Sequence, residues 1–158
     1  MIPKTGIEYS KIEKLFRSVG INLVWFMDEK YVIPGNFDNE YIRHSDFVAA
    51  FADYSSELHK RLLQYESEVF DCDDFAWMFK AFCHIHKING CGFAVGKLYW
   101  GDQFCGWHAF NIVPYALTPN NFIVLLIEPQ VAPLDGITSY NHGAKLWNYR
   151  YEVVEVIM

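Results

Sequence analysis

The sequence predicts an α+β fold in which N-terminal helices and a central helix pack on an antiparallel sheet. In the first half, apolar residues recur at three- and four-residue steps, the period of an amphipathic helix. After Gly92 the period shortens to two, which is typical of strands. The chain has 158 residues, 52% hydrophobic and 20% charged, which predicts one globular domain over residues 1–158. Helices followed by strands along the chain favour the α+β class.

The N-terminal part is predicted to contain two helices with a strand between them. The predicted elements are a helix from Ser10 to about Val19, a strand from Ile21 to Met27, and a helix from Ser45 or Asp46 to about Glu66. Ser10 is a preferred capping residue, and Gly20 fits the end of the first helix.

The third helix is the most apolar segment of the first half. Acidic residues at Asp71, Asp73 and Asp74 precede a nearly all-apolar body, so this helix should begin at Asp71 or Cys72 and be buried. It is predicted to end near Asn89.

The second half is predicted to form the sheet. Its expected strands are Gly92–Trp100, Trp107–Val113, Phe122–Glu128 and Tyr151–Ile157, separated by a loop at 101–106, a turn at 114–121 and an irregular stretch at 131–150. The third of these strands is apolar on both sides, which predicts a central position.

Charge and composition exclude several classes of partner. The net charge of −6 argues against binding to nucleic-acid phosphates and to acidic membrane surfaces. No apolar run is long enough to span a bilayer, and no secretory leader is recognisable, which predicts a cytoplasmic protein. The four cysteines should then be reduced, and their spacing fits no zinc motif. The sequence leaves the oligomeric state open.

Cys72 is the strongest candidate for chemistry. At the start of a helix, unpaired N–H groups and the helix dipole stabilise a thiolate, which is the nucleophilic form. His108, early in a predicted strand after a glycine turn, is the candidate base. Glu128 ends an apolar strand, where its carboxylate needs a partner such as an imidazole N–H. These three residues follow the logic of nucleophile, base and orienting acid.

The blocks Asp71–Ala76, Trp107–Asn111 and Glu128–Gln130 resemble the papain-like and transglutaminase-like cysteine peptidase superfamily. Their arrangement is similar to that in bacterial transglutaminase-like cysteine peptidases and in the C-terminal protease domain of the Marasmius agglutinin. This resemblance implies a papain-like fold and catalytic roles for Cys72, His108 and Glu128. The implied function is a cysteine hydrolase, a peptidase or amidase that acts by acyl transfer on a protein or peptide.

Two alternatives stand beside the hydrolase. The first is a non-catalytic papain-like binding module, and the second is a transamidase on the same three residues. The aromatic residues, 18% of the chain, are mostly expected in the core, with a sugar-stacking surface as the functional alternative.

The aspartates around Cys72 have two interpretations. Asp71, Asp73 and Asp74 can be capping charges at a helix start. The resemblance also raises calcium, because the agglutinin protease depends on it. The sequence itself requires no cofactor, and any calcium site would need further oxygens, since calcium takes six to eight.

Overall fold

The computed structural model describes residues 6–61, 64–131 and 135–158. These residues contain three helices, all in the N-terminal part and the centre of the chain. They are α1 (Tyr9–Ser18), α2 (His44–Arg61) and α3 (Cys72–Ile85). Mixed helices and strands around a large sheet confirm the α+β class.

Nine strands form one small and one large sheet among the described residues. The strands are β1 (Ile7–Glu8), β2 (Val24–Trp25), β3 (Lys30–Tyr31), β4 (Gly92–Trp100), β5 (Gln103–Thr118), β6 (Asn121–Ile127), β7 (Ile137–Ser139), β8 (Ala144–Leu146) and β9 (Tyr149–Ile157). Strands β1 and β3 pair with each other. The large sheet has the order β2-β9-β4-β5-β6-β7, and β8 pairs with β9.

The sheet is antiparallel except at one edge. Strand β2 runs parallel to β9, so the prediction of an entirely antiparallel sheet is wrong at this pair.

Several predicted boundaries move in the structure. Glu8, rather than Ser10, occupies the N-cap position of α1, and its side chain makes no capping hydrogen bond. The strand expected over 21–27 shrinks to Val24–Trp25, and α2 does not reach Glu66; residues 62 and 63 lie outside the described part of the chain. The helix α3 ends at Ile85, before Asn89.

The strand β5 is much longer than predicted. It begins at Gln103, so the turn between β4 and β5 is only Gly101–Asp102, and it continues through Pro114 to Thr118. The stretch expected to be irregular contains β7 and β8, and its residues 132–134 lie outside the described part of the chain.

The helix α3 is fixed on the sheet by apolar packing and by one buried amide. The side chain of Asn111, on β5, donates hydrogen bonds to the carbonyl of Ala76 at 3.0 Å and to that of Gly92 at 3.1 Å. These bonds tie the helix to two neighbouring strands, so the start of α3 is held against β5.

Within the described ranges, no helix combines the length and the apolar character needed to cross a bilayer.

Candidate functional site

The start of α3 is set by its capping residues. Asp71 has an extended backbone and precedes the first helical residue, Cys72. The Asp74 carboxylate accepts a hydrogen bond from the Asp71 N–H at 3.1 Å, which is half of a capping box. Local sequence therefore places Cys72 in the first turn, as predicted.

The Cys72 thiol is half-buried between the helix and β5. Its sulfur accepts a hydrogen bond from the Ala109 N–H at 3.4 Å, and its side chain also hydrogen-bonds His108. Ala76 and Val95 belong to the same apolar cluster. The thiol thus has polar partners on the β5 side and apolar neighbours elsewhere.

His108 joins Cys72 to a buried acid. Its Nε2 donates to a Glu128 oxygen at 2.6 Å, and the Tyr151 hydroxyl donates to the same oxygen at 3.0 Å. The other Glu128 oxygen accepts from the Gln130 N–H at 3.2 Å. Glu128 is therefore buried with its charge satisfied, as burial of a carboxylate requires.

These contacts alter the proton affinity of His108. Burial alone would lower the pKa of the imidazole, but hydrogen bonds to Cys72 and Glu128, with the charge of Glu128, outweigh it. The pKa of His108 rises from 6.5 to about 9. The ring is thus an imidazolium at neutral pH, held between a thiol and a carboxylate.

The aspartates form a small cluster at the same helix start. Ligand atoms of Asp71, Cys72 and Asp73 all lie within 4.8 Å of one another. A hydrogen bond between the two carboxyl groups lowers the pKa of Asp71 and raises that of Asp73. Asp74 uses one oxygen for the Asp71 N–H. These donors fit only a weak cation site completed by water, because calcium needs six to eight oxygens.

A second candidate site lies at the other end of the sheet. It is a cleft of about 280 Å³ between the β4–β5 turn and the β8–β9 turn. Its walls are formed by Gly101, Asp102, Lys145, Trp147, Asn148, Tyr149 and Arg150. We refer to these seven residues as the Trp147 cleft.

Trp147 gives this cleft its aromatic surface. Its side chain is 55% exposed, and its backbone has a φ of 54°, a left-handed conformation in the turn between β8 and β9. Asp102 and Asn148 are exposed polar neighbours. An exposed indole with polar groups around it can bind one face of a ligand and hydrogen-bond its edges.

The sequence predicted only part of this second site. Its aromatic residues were expected mostly in the core, with a sugar-stacking surface as the alternative, and 131–150 was expected to be irregular, so Lys145 and Arg150 were not distinguished. The Ala144–Leu146 alternation before Trp147 is the signal that could have revealed β8, although three residues are too few to be decisive.

Comparisons with known proteins support the fold alone. No family model and no curated protein matches this sequence. The structure is similar to that of Polyporus squamosus lectin bound to the human-type influenza-binding epitope Neu5Aca2-6Galb1-4GlcNAc. The TM-score is 0.58 at 18% identity, over 94% of this chain and 48% of that one.

A second solved structure, the PSL1a–E64 complex, has a TM-score of 0.54 at 22% identity. The match covers 85% of this chain and 43% of that one. This chain therefore spans less than half the length of both similar structures.

These comparisons correct the functional interpretation of the sequence. The resemblance to cysteine peptidases, the hydrolase function and the peptide substrate are wrong on this comparison, because Polyporus squamosus lectin is a lectin bound to a glycan. The physical reason lies in the hydrogen bonds among the thiol, the imidazole and the carboxylate. A catalytic nucleophile requires these bonds, but the same bonds also satisfy the polar groups of a buried histidine and glutamate, whether or not the site is catalytic. The structure brings Cys72, His108 and Glu128 together, and their catalytic roles stay predictions.

Proposed function

We propose that this chain is a non-catalytic binding module that recognises a carbohydrate in the Trp147 cleft. The observation that carries the proposal is the exposed indole of Trp147 beside the polar side chains of Asp102 and Asn148. Sugar rings have apolar C–H faces and hydroxyl edges, so they suit a flat aromatic surface with hydrogen-bonding groups at its rim.

The similar lectin structure supports the choice of ligand class. That protein is bound to a sialylated trisaccharide. Sialic acid carries a carboxylate, and the cleft of this chain includes the cations Lys145 and Arg150. The first ligand to test is therefore a sialylated glycan. A reducing, cytoplasmic setting remains part of the proposal, since all four cysteines are free thiols.

The test is glycan binding by the wild type and by two tryptophan variants. Immobilised sialylated and neutral trisaccharides are titrated with wild type, Trp147→Ala and Trp25→Ala. Trp25 is a matched control, because it is 56% exposed and lies on β2, outside the cleft. We expect Trp147→Ala to weaken binding at least tenfold and Trp25→Ala to leave it unchanged.

Two outcomes would contradict this proposal. One is that the wild type binds no glycan of the panel. The other is that both tryptophan variants bind as well as the wild type, in which case the Trp147 cleft is not the site.

A second candidate function is favoured by the contacts at Cys72. The thiol lies at a helix start, with His108 as an imidazolium and Glu128 as its acid. These groups suit a transamidase, in which Cys72 attacks a carboxamide carbonyl and releases ammonia, and an amine then displaces the thiol. The papain-like or transglutaminase-like description of the fold belongs to this candidate.

Thiol labelling distinguishes the two candidates. A catalytic Cys72 should react with an alkylating probe much faster than exposed Cys105, and His108→Ala should remove that advantage. Incorporation of a labelled amine into a glutamine-containing peptide should then depend on Cys72. Equal, slow labelling of Cys72 and Cys105 would leave only the binding module.

A further inference from the structure

The pairing of the strands aligns one row of side chains across the sheet, next to the Trp147 cleft. In this row Lys145 is opposite Arg150, Arg150 opposite Tyr99, and Tyr99 opposite Phe104. The Arg150 guanidinium lies over the Tyr99 ring at 4.1 Å, and the Tyr99 and Phe104 rings are 5.6 Å apart. These contacts confirm that the row shares one face of the sheet.

A second row lies on the same face, two residues further along β4 and β9 and, because of a bulge, three residues further along β5. Glu152 is opposite Lys97, and Lys97 is opposite Trp107. The Lys97 ammonium lies 5.8 Å from the centre of the Trp107 ring. We call these seven residues the open face: Lys97, Tyr99, Phe104, Trp107, Lys145, Arg150 and Glu152.

The next row marks where the covered part of the sheet begins. Val95 and Ala109 pair there, and the Ala109 N–H donates to Cys72 at the start of α3. The exposures of Trp107 and Phe104, 60% and 50%, show that their rings remain accessible. Phe104, Trp107 and Lys145 are exposed, and the other four residues of the open face are half-buried. The open face shares Lys145 and Arg150 with the Trp147 cleft.

The chemistry of the open face resembles that of the cleft. Three aromatic rings and three cations occupy it, against one carboxylate, in a chain whose net charge is −6. Glu152 is paired with Arg150. Lys97 and Lys145 have no ion pair with a carboxylate in the part of the chain that the structure describes.

We infer that the open face extends the Trp147 cleft into a groove for an acidic oligosaccharide of several sugar units, an inference that rests on the proposed function. Rings would lie on Trp147, Phe104 and Trp107, and carboxylates would meet Lys145 and Lys97. From β8 to β5 the groove crosses three inter-strand steps, about 14 Å, which exceeds one sugar ring. Continuity with the proposed sugar-binding cleft, through Lys145 and Arg150, favours this occupant over an acidic peptide. The net charge of −6 further disfavours a nucleic acid.

The experiment measures how affinity depends on ligand length and charge. Wild type is titrated with uronic-acid oligosaccharides of two, four and six units, and with carboxyl-reduced oligosaccharides of the same lengths. We expect affinity to rise at least tenfold from two units to six, and to fall with salt and on carboxyl reduction. A hexaglutamate peptide and a short single-stranded oligonucleotide serve as competitors.

Single substitutions distinguish the contribution of the groove to binding from that of the Trp147 cleft. Trp107→Ala should keep the affinity for the disaccharide but lose the gain with length, and Trp147→Ala should lose binding at every length. Lys97→Gln should weaken the salt dependence. Trp25→Ala, a tryptophan of similar exposure outside the groove, should behave as the wild type.

The outcomes distinguish this inference from the proposed function. If the sialylated trisaccharide binds but affinity depends on neither length nor carboxyl groups, the acidic groove is wrong and the carbohydrate site stands. If the peptide or the oligonucleotide displaces the hexasaccharide more strongly than a matched acidic sugar, the assigned occupant is wrong. If no glycan binds at all, both fail.

Discussion

The region around Cys72 and the Trp147 cleft use polar side chains in opposite ways. Around Cys72 the polar groups bind one another, and Glu128 alone accepts hydrogen bonds from His108, Tyr151 and Gln130. At the Trp147 cleft the indole and the side chains of Asp102 and Asn148 are exposed to solvent. The first region is closed by internal bonds, whereas the second leaves its groups free for a ligand.

This difference separates what stabilises the fold from what recognises a partner. A buried ion pair is sensitive to the loss of either member, because the remaining charge is left without compensation. An exposed cleft contributes little to the free energy of unfolding. The two regions should therefore respond differently to the same kinds of substitution.

The largest effect is expected from Glu128→Leu. This change removes the acceptor for the His108 imidazolium and the Tyr151 hydroxyl, so the free energy of unfolding should fall by about 3–5 kcal/mol. Urea denaturation measures it. Glu155→Leu is the matched control, because Glu155 accepts one bond from Trp25 near the surface, and it should cost less than about 1 kcal/mol. Equal losses in the two variants would contradict a closed network at Cys72.

The next effect is a dependence of stability on pH. The folded pKa of His108 is raised to about 9 from 6.5, so its protonated form is stabilised by folding. That contribution, on the order of 3 kcal/mol, is fully present below about pH 6.5 and disappears as pH rises through about 9. Unfolding free energies of wild type and His108→Gln from pH 6 to 10 isolate it. Parallel curves for the two proteins would refute the raised pKa.

Calcium binding beside Cys72 should have a smaller effect on the stability of the fold. If Asp71 and Asp73 bind a cation weakly, calcium at ten times its dissociation constant stabilises the fold by about 1.4 kcal/mol. Thermal melting from micromolar to millimolar calcium measures this, with Asp73→Asn expected to abolish the shift. An unchanged melting temperature would leave the aspartates as capping charges.

The smallest effect is expected from Trp147→Ala on stability. Because this indole is exposed in a turn, the free energy of unfolding should change by no more than about 0.5 kcal/mol. Urea denaturation of the same protein used for glycan binding provides the measurement. A loss above about 2 kcal/mol would mean that Trp147 supports the fold, and its binding defect could not then be assigned to ligand contact.

Short-range patterns in the sequence predicted the elements with strong local signals. Strand β4 has the predicted bounds, Gly92 to Trp100, and α3 begins where its acidic cap indicated. The contacts of His108 with Cys72 and Glu128 were anticipated from residue types, because few partners can satisfy a carboxylate at the end of an apolar strand. The catalytic roles of the three residues stay predictions.

Pro114 shows why β5 was predicted too short. Proline lacks an N–H, and the sequence suggested a turn. In the structure, the N–H of Ala116, two residues on, donates to Pro34, away from β6. The nitrogen of Pro114 points to that same side, beyond the last β4–β5 pair at Gly92 and Ile112. The missing donor therefore costs the sheet no hydrogen bond with β4 or β6.

Long-range pairing could not be read from the sequence. Both the Trp147 cleft and the open face depend on which strands are neighbours and on their register, and β9 pairs with β2 and β4, which are far from it in sequence. Residue types such as Lys97 and Tyr99 carry no sign of this arrangement by themselves. The proposed binding surface is thus a product of topology rather than of a motif.

The position of β9 also has a consequence for biosynthesis. This strand leaves the ribosome after every other described strand, yet it lies inside the large sheet, between β2 and β4. Until it emerges, the nascent chain holds β4 with an unpaired edge, which is a site for misassociation with other chains. The large sheet can therefore close only once β9 has emerged, and a chaperone that shields the edge of β4 until then would raise the yield of native protein.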